Sequence, residues 1–456
     1  MSLKRYFEYS VVCLLTASII GYGLLSGLKM SSVFIETPLV DLRLVFLNSI
    51  RSTLAFGVFI SFFGLLLVKE VYSRSEIPVE TDGGPLLAIV PVYNEAEILH
   101  KSVESLKRSS YEDVDVCVVC EEDDRESVER AMELGCDVLV NNHPGSKAGA
   151  INTAFEERTE YDYYAIFDAD EEVVDGFLSK AVGTIEEGGH EAFEGRRIPE
   201  TRGIVESFGY CERAVFYILF KFMEATGFRN LGSASVVMER DVWERTGGYD
   251  DMLTEDIDFH HKSYRAKVDV ANDRRVNTVM EAPHTWSDFW HQRKRWRMGW
   301  VQVLHKTLKG GYDNYLSLRG VYSTSRIFLG VLGTVSILVL VPKMLVLFLL
   351  DLDFFYLFPL VSLASVTALI SLRDSRYDKV GFLGFNAVLS ILVLPFTSFL
   401  ALKSLVEYVV SGECGWYQVE KVSERSHDVG FDGAVGIHAN PDEPEEIAPM
   451  QKREGD

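Results

Sequence analysis

Five short segments carry side chains whose types and spacing suit chemistry. Asp168-Ala169-Asp170 follows the aromatic, apolar run Tyr163 to Phe167. Two carboxylates at i and i+2, emerging where a strand ends, can grip one divalent cation together with bound phosphate oxygens. An Asp-x-Asp is also an ordinary solvated turn. Thr254-Glu255-Asp256 follows the turn signal Gly247-Gly248-Tyr249 and precedes Ile257 and Phe259. A carboxylate there can act as a general base. The same residues read equally as a helix start, with Thr254 capping and acids in the first turn. Gln292-Arg293-Lys294-Arg295-Trp296 puts Gln292 and Trp296 one helical turn apart. An amide there can bond hydroxyls, a guanidinium can neutralise phosphate, and an indole can stack on the apolar face of a sugar ring. The alternative is a basic patch lying against lipid headgroups.

The other two segments end strands. In Pro91-Val92-Tyr93-Asn94-Glu95, Tyr93 can stack on a nucleobase, and Asn94 can equally cap a helix. In Cys120-Glu121-Glu122-Asp123-Asp124, the acids can accept from the donor edge of a pyrimidine or sit in a solvated turn. Cys117 and Cys120 form a CxxC inside the apolar run Val114 to Cys120. Residues three apart on a strand point to opposite faces, so a structural role is expected rather than zinc or redox chemistry.

Positioning these groups needs strands with helices between them. Leu86 to Val92, Val114 to Val119, Val138 to Asn141 and Tyr163 to Phe167 read as strands, and Glu95 to Leu106 has helical apolar spacing. That alternation predicts an α/β fold with a mostly parallel sheet, whose ligands bind beyond the carboxyl ends of the strands. Apolar runs long enough to cross a bilayer flank this region at residues 9–28, 50–68, 327–350, 354–372 and 382–402. Pro395 is placed to break the last run into a re-entrant or interfacial piece. The chain therefore divides into an N-terminal membrane region (1–71), a globular domain (72–311), a C-terminal membrane region (312–412) and a tail (413–456). The tail holds 11 acids and 4 bases and is expected to be disordered. Arg373, Arg376 and Lys379 between the last two runs predict a cytoplasmic loop, and with it a cytoplasmic domain in a multi-pass protein of the cell membrane.

With 456 residues and a net charge of −22, the chain repels phosphate backbones, which argues against nucleic acid as a partner and suggests a halophilic source. Collagen-like and wholly disordered classes are excluded by 35 Gly, 13 Pro and 12% aromatic residues. Six cysteines do not make a disulfide scaffold in a chain of this length.

Taken in order, Ile89-Val90-Pro91-Val92-Tyr93-Asn94-Glu95, Lys147-Ala148-Gly149-Ala150-Ile151-Asn152, Asp168-Ala169-Asp170, Thr254-Glu255-Asp256 and Gln292-x-x-Arg295-Trp296 resemble the family 2 glycosyltransferases, especially the membrane-embedded branch of cellulose and hyaluronan synthases. The resemblance covers residues 86–310 by motif and the flanking runs by layout. It implies a GT-A nucleotide-diphospho-sugar transferase domain flanked by transmembrane helices, using Mg²⁺ or Mn²⁺. It implies that Tyr93 stacks on the nucleobase with Glu95 nearby, and that Glu121 stands where the family has the first of two nucleoside-binding aspartates. Lys147 would contact the nucleotide side of the donor, Asp168 would hold donor groups, and Asp170 with Asp168 would serve the metal. Asp256 would be the base with Glu255 beside it. Gln292, Arg295 and Trp296 would frame the acceptor and leaving-group side, with Gly232-Ser233 resembling the acceptor loop. No role is carried over to His143, His260, His261 or His284.

The expected activity is inverting transfer of a sugar from a nucleotide-diphosphate donor to a glycan or lipid-linked acceptor at the membrane, in processive polysaccharide synthesis or in single additions. A non-catalytic membrane scaffold would explain the apolar runs and the acidic tail, but not acids at several strand ends.

Overall fold

The computed structural model describes residues 31–36, 41–46, 49–73, 77–80, 83–314 and 316–411. The expected span 9–28 and the tail 413–456 lie outside the described residues. Strands β1 (Ser31–Glu36) and β2 (Asp41–Phe46) form an antiparallel hairpin that the apolar patterning did not predict.

The remaining strands are β3 (Leu86–Val92), β4 (Val114–Cys120), β5 (Asp137–Val140), β6 (Tyr163–Ile166), β7 (Glu171–Val173), β8 (Ala192–Pro199), β9 (Val236–Glu239) and β10 (Val270–Met280). They form one sheet in the order β5-β4-β3-β6-β9-β8-β10-β7. Pairing is parallel for β3 with β4 and β6, for β4 with β5, and for β8 with β10. It is antiparallel where β9 joins β6 to β8, and where β7 closes the edge on β10. This is a mixed, mostly parallel α/β sheet.

Both faces of the sheet are covered, which is why its central strands read as unbroken apolar runs. Leu86, Ala88 and Val90 pack with Val103, Phe177 and Leu178 on one face, and Leu87 and Ile89 pack with Ile151, Phe155 and Phe259 on the other. Cys120 joins the first layer and Cys117 the second, so the CxxC is split across the sheet. Burial pushes both thiols up to about 12, which keeps them protonated and inert.

The first helix of this domain starts later than its apolar spacing predicts, at Leu99 instead of Glu95. Asn94 adopts a positive φ of 53°, and its backbone N–H donates to the Asp124 carboxylate at 2.6 Å. The chain therefore turns before it coils, and the helix opens from the carbonyl of Glu95. That constraint comes from 30 residues further along the chain, so local periodicity cannot report it.

Among the described residues, three helical stretches are long and apolar enough to cross a membrane: Thr53–Tyr72, Phe354–Asp374 and Gly384–Val410. The expected run 327–350 is continuous helix, passing from Leu318–Phe328 through a π turn at Leu329–Gly333 into Thr334–Asp351. Helices Ser49–Tyr72 and Phe358–Asp374 meet through small residues. Gly57 faces Phe358 and Pro359, Gly64 faces Val366, and Ser61 Oγ donates to Ser362 Oγ at 3.0 Å. Helix Ser390–Ser411 runs on through Pro395 without a break and lies along helix Trp286–Leu308, with Phe396 against Phe289 and Trp290, and Glu407 3.0 Å from Lys294.

Two contacts tie these layers to the sheet. Arg196 on β8 forks onto Asp374, which also accepts from Tyr210 Oη at 2.5 Å; both members of the ion pair are buried. Arg196 Nε completes the set on Asn277 at 3.1 Å. In the second contact, Gly299 of helix Trp286–Leu308 lies against Thr254, where a Cβ would collide with the Thr254 side chain. The same helix holds the residue before it from both sides: Arg295 Nη1 donates to Leu253 O at 3.0 Å, and Leu253 N–H donates to Gln302 Oε1 at 3.1 Å.

Two outcomes are expected. Asp374→Ala strands a buried guanidinium and lowers stability by about 3–5 kcal/mol, read as a fall in unfolding midpoint in detergent. The double change Arg196→Met with Asp374→Leu recovers most of that loss; a single variant that melts like the parent would remove the latch. Gly299→Ala forces Thr254 away from the helix and costs about 1–3 kcal/mol, while the exposed change Gly310→Asn in the same connection leaves the midpoint unchanged.

Candidate active site

The carboxyl ends of β3, β4 and β6 open on the same edge of the sheet, because these strands run parallel. After β6 the chain turns sharply: Phe167 N–H donates to Ile89 O, and Glu171 N–H donates to Asp168 O at 3.1 Å. This turn carries Asp168 and Asp170 out of the sheet and lets β7 add to the far edge. Asp170 and Glu171 are buried, whereas Asp168 is about a quarter exposed.

Lys147 stands at the first position of helix Lys147–Glu157, whose N-cap Ser146 accepts from Gly149 N–H at 3.1 Å. The helix start approaches the loop before it closely enough that a Cβ at Gly149 would strike the carbonyl of His143. Glu121, at the end of β4, fixes that loop through Asn141 Nδ2 at 2.7 Å and Gly145 N–H at 3.2 Å. In the structure, then, Glu121 orients the loop that delivers Lys147.

The Lys147 ammonium pairs with Asp168 and lies 3.8 Å from Glu255 Oε1. Glu255 opens helix Glu255–Arg265 and accepts from Ser233 Oγ at 2.8 Å. The two acidic segments therefore meet across one cation. Burial lowers the Lys147 pKa, but Asp168 and Glu255 outweigh it and leave the group above its ordinary value. Burial raises the Glu255 carboxyl, Lys147 opposes that, and neighbouring Asp256 adds to it. Asp256, in the first turn of the same helix, accepts from Ile257 N–H at 2.8 Å, and its Cβ lies beside Gly232. Thr254 occupies the N-cap position but makes no capping bond; its buried hydroxyl faces Gly299 instead.

Sequence reasoning missed two members of this cluster. Arg197 on β8 pairs with Asp168 and with Glu171. Burial pushes the Glu171 carboxyl up to about 7, Arg197 opposes that, and Asp168 and Asp170 reinforce it. Ser235 Oγ donates to Glu171 at 3.1 Å and bonds Thr278 at 2.7 Å. The signals available in the sequence were a third acid directly after Asp170, and two adjacent arginines inside an otherwise buried strand.

Other expected residues take separate positions. Tyr93 is exposed just past β3, and Glu95 accepts the first turn of the following helix. Arg295 reaches Leu253 and helps lower the Glu255 carboxyl against its burial. Gln292 is bonded to its neighbour Arg293. The Trp296 ring is faced by two guanidiniums, Arg293 at 4.2 Å and Arg213 at 5.2 Å from its centroid. Of the histidines given no role, His261 is buried on Ser323, His284 sits between Glu206 and Glu281, and His143 pairs with Glu156 near the surface. His260 lies 3.8 Å from Glu194, which accepts from Gly232 N–H at 2.8 Å.

Five carboxylates (Asp168, Asp170, Glu171, Glu255 and Asp256) thus gather near Lys147, Arg197 and Arg295. The set is all hard oxygen donors with an excess of negative charge, the chemistry that suits Mg²⁺ or Mn²⁺ rather than a thiophilic ion. Among the described residues no three metal-ligating side chains converge on one point, so a cation here would take further ligands from a substrate or water.

No curated protein matches the chain. Among solved structures, the mannosyltransferase PcManGT from Pyrobaculum calidifontis, in complex with GDP-Man and Mn²⁺, is similar at 15% identity over 79% of this chain and 99% of its own, with a TM-score of 0.49. Residues 87–242 match the family described as Glycosyl transferase family 2. The matched stretch includes Tyr93, Glu121, Lys147, Asp168, Asp170 and Ser233, and ends before Glu255.

Proposed function

We propose that this protein transfers a sugar from a nucleoside-diphosphate donor to a hydroxyl of a glycan or lipid-linked acceptor, with inversion at C1, on the cytoplasmic side of a membrane. The observation that carries the reading is the Lys147 bridge, which brings Asp168 and Glu255 to one cleft at the carboxyl edge of the sheet.

The acceptor hydroxyl is a weak nucleophile until its proton leaves. Asp256, at the first turn of its helix and beside Gly232, takes that proton as attack proceeds. Glu255 holds Ser233 and Lys147, fixing the acceptor loop against the donor side. Lys147 and Arg295 face the leaving diphosphate as its charge grows. Asp170, with Asp168 beside it at the carboxyl end of β6, is assigned to holding a divalent cation. Such a cation, bound with the donor diphosphate, supplies further charge neutralisation at the leaving oxygen. One base and one displacement give inversion without a covalent sugar intermediate. Tyr93 and Glu95, beyond β3, are assigned to the nucleoside, with Glu121 behind them. Gln292 and Trp296 are assigned to the acceptor side.

The membrane orientation rests on a contact. The loop bearing Arg373, Arg376 and Lys379 meets the globular domain, with Lys379 Nζ 3.0 Å from Glu172 and Thr201 N–H donating to the Lys379 carbonyl. The positive loop and the domain share a side, and such loops favour the cytoplasm.

The primary test is a panel of nucleotide sugars on purified membranes with Mn²⁺ or Mg²⁺; failure to transfer or hydrolyse any donor rejects the reading. Asp256→Asn is expected to bind donor normally while transfer falls by roughly 10²–10⁴. Turnover like the parent's would take the base role from Asp256. Asp170→Ala is expected to abolish the metal dependence of donor binding, followed by titration calorimetry with and without Mn²⁺.

A further inference from the structure

A second charged cluster lies outside the site just described. Arg213 on helix Ile204–Ala225 and Arg293 on helix Trp286–Leu308 lie over the same Trp296 ring, and Arg293 and Arg297 neighbour a single carboxylate, Glu212. Arg293 Nε bonds Glu212 Oε2 at 2.5 Å, and Glu212 is fully buried. The other oxygen of Glu212 is buried without a hydrogen bond. Among the described residues, no hydrogen bond or ion pair reaches the guanidinium of Arg213 or of Arg297. Each is held only over a ring, Arg213 at 5.2 Å from the Trp296 centroid and Arg297 at 5.6 Å from that of Phe216. Arg293 thus takes the one carboxylate bonded here, Glu212, and the planar forks of Arg213 and Arg297 keep their donors uncommitted. Burial, offset by Glu212 alone, holds Arg297 below its ordinary value.

The surroundings are those of a membrane boundary. Arg293 lies over Phe289, which packs on Phe396 of the last apolar helix. Arg213 lines a narrow cleft with Arg197, Ile370 and Asp374, joining the partner of Asp168 to the end of another apolar helix. Bidentate guanidiniums stacked on aromatic rings suit a phosphate carried by an apolar chain: the forks take the oxygens and the rings take the chain.

We propose that Arg213, Arg293 and Arg297 bind the phosphate of a lipid-linked acceptor, presenting its reactive end beside Trp296. This inference rests on the sugar-transfer reading and narrows its acceptor to a lipid phosphate.

The test uses the full chain in neutral detergent and titration calorimetry. The ligands are dodecyl phosphate, dodecanol at equal micellar loading, inorganic phosphate, and a nucleoside diphosphate with Mn²⁺. Dodecyl phosphate is expected to bind, dodecanol is not, and inorganic phosphate is expected to bind at least about tenfold more weakly because it lacks the chain. In the variant carrying Arg213→Gln and Arg297→Gln, dodecyl phosphate affinity falls about tenfold or more, while nucleoside diphosphate affinity stays within about twofold. Unchanged dodecyl phosphate binding in that variant overturns the proposal. So does inorganic phosphate binding as tightly as dodecyl phosphate, which would mark a site for a free anion, or an equal loss of nucleoside diphosphate, which would assign the arginines to the donor. A parent protein that binds dodecyl phosphate but no nucleotide sugar would reject the transferase reading and leave the phosphate site standing. If the double variant melts early, Arg297→Gln alone supplies the same comparison.

Discussion

Lys147 sits between Asp168 and Glu255, and without a cation at that point two carboxylate segments from separate stretches of the domain would repel one another across a half-buried cleft. Like charges brought together at low dielectric cost more than ordinary packing returns, so the arrangement exists only because its cations are interleaved with its acids. Arg197 on β8 does the same for a second pair of acids, bridging Asp168 and the buried Glu171. The Glu171 carboxyl, pushed up to about 7, shows where the compensation is incomplete. Five acids against three cations leave the cleft with an excess of hard oxygen donors.

The same strand has a second job on its other face. Successive residues of a strand point in opposite directions, so Arg196 and Arg197, adjacent in sequence, reach opposite sides of β8. Arg197 turns to the acids of the cleft, and Arg196 turns to Asp374 at the end of an apolar helix. Two covalently linked residues thereby join the donor side of the site to the membrane layer. Helix Trp286–Leu308 joins them again from the acceptor side, holding Leu253 and Thr254 on one face and Phe396 of the last apolar helix on another. The cleft is therefore braced at two points by elements that also pack on helices long and apolar enough to cross a membrane.

What could be read from the residues alone follows from the range of the forces involved. β3 and β4 were legible because burial on both sides leaves an unbroken apolar run, and the split of Cys117 from Cys120 follows from the period of a strand. Lys147, Asp168, Ser233 and Glu255, which the structure brings within contact of one another, each stand in a short motif visible in the sequence. Arg197 stands in no motif. Its partners lie 29 and 26 positions earlier and come within reach only once the sheet exists; a pair of arginines in a buried strand marks the position but does not name those partners. The displaced helix start at Leu99 has the same origin, a bond from Asn94 to Asp124 across the strand ends. The hydroxyl of Thr254 illustrates the reverse case: its position suits a cap, but packing against Gly299 takes the side chain away from it.

These constraints also explain why an acidic protein should concentrate arginine where it does. With a net charge of −22, the surface as a whole repels anions, including the nucleotide donor. Binding one then requires local inversion of sign. At the cleft the chain plants cations inside carboxylate clusters, where Lys147 and Arg197 are already paired. Beside the apolar helices it does so differently, pairing Arg293 with the buried Glu212 and setting Arg213 and Arg297 over aromatic rings. Arg213 and Arg293 both lie over Trp296, and the neighbouring Arg295 reaches back to Leu253 beside Glu255, so one helical segment carries the cations of the second arrangement toward the first.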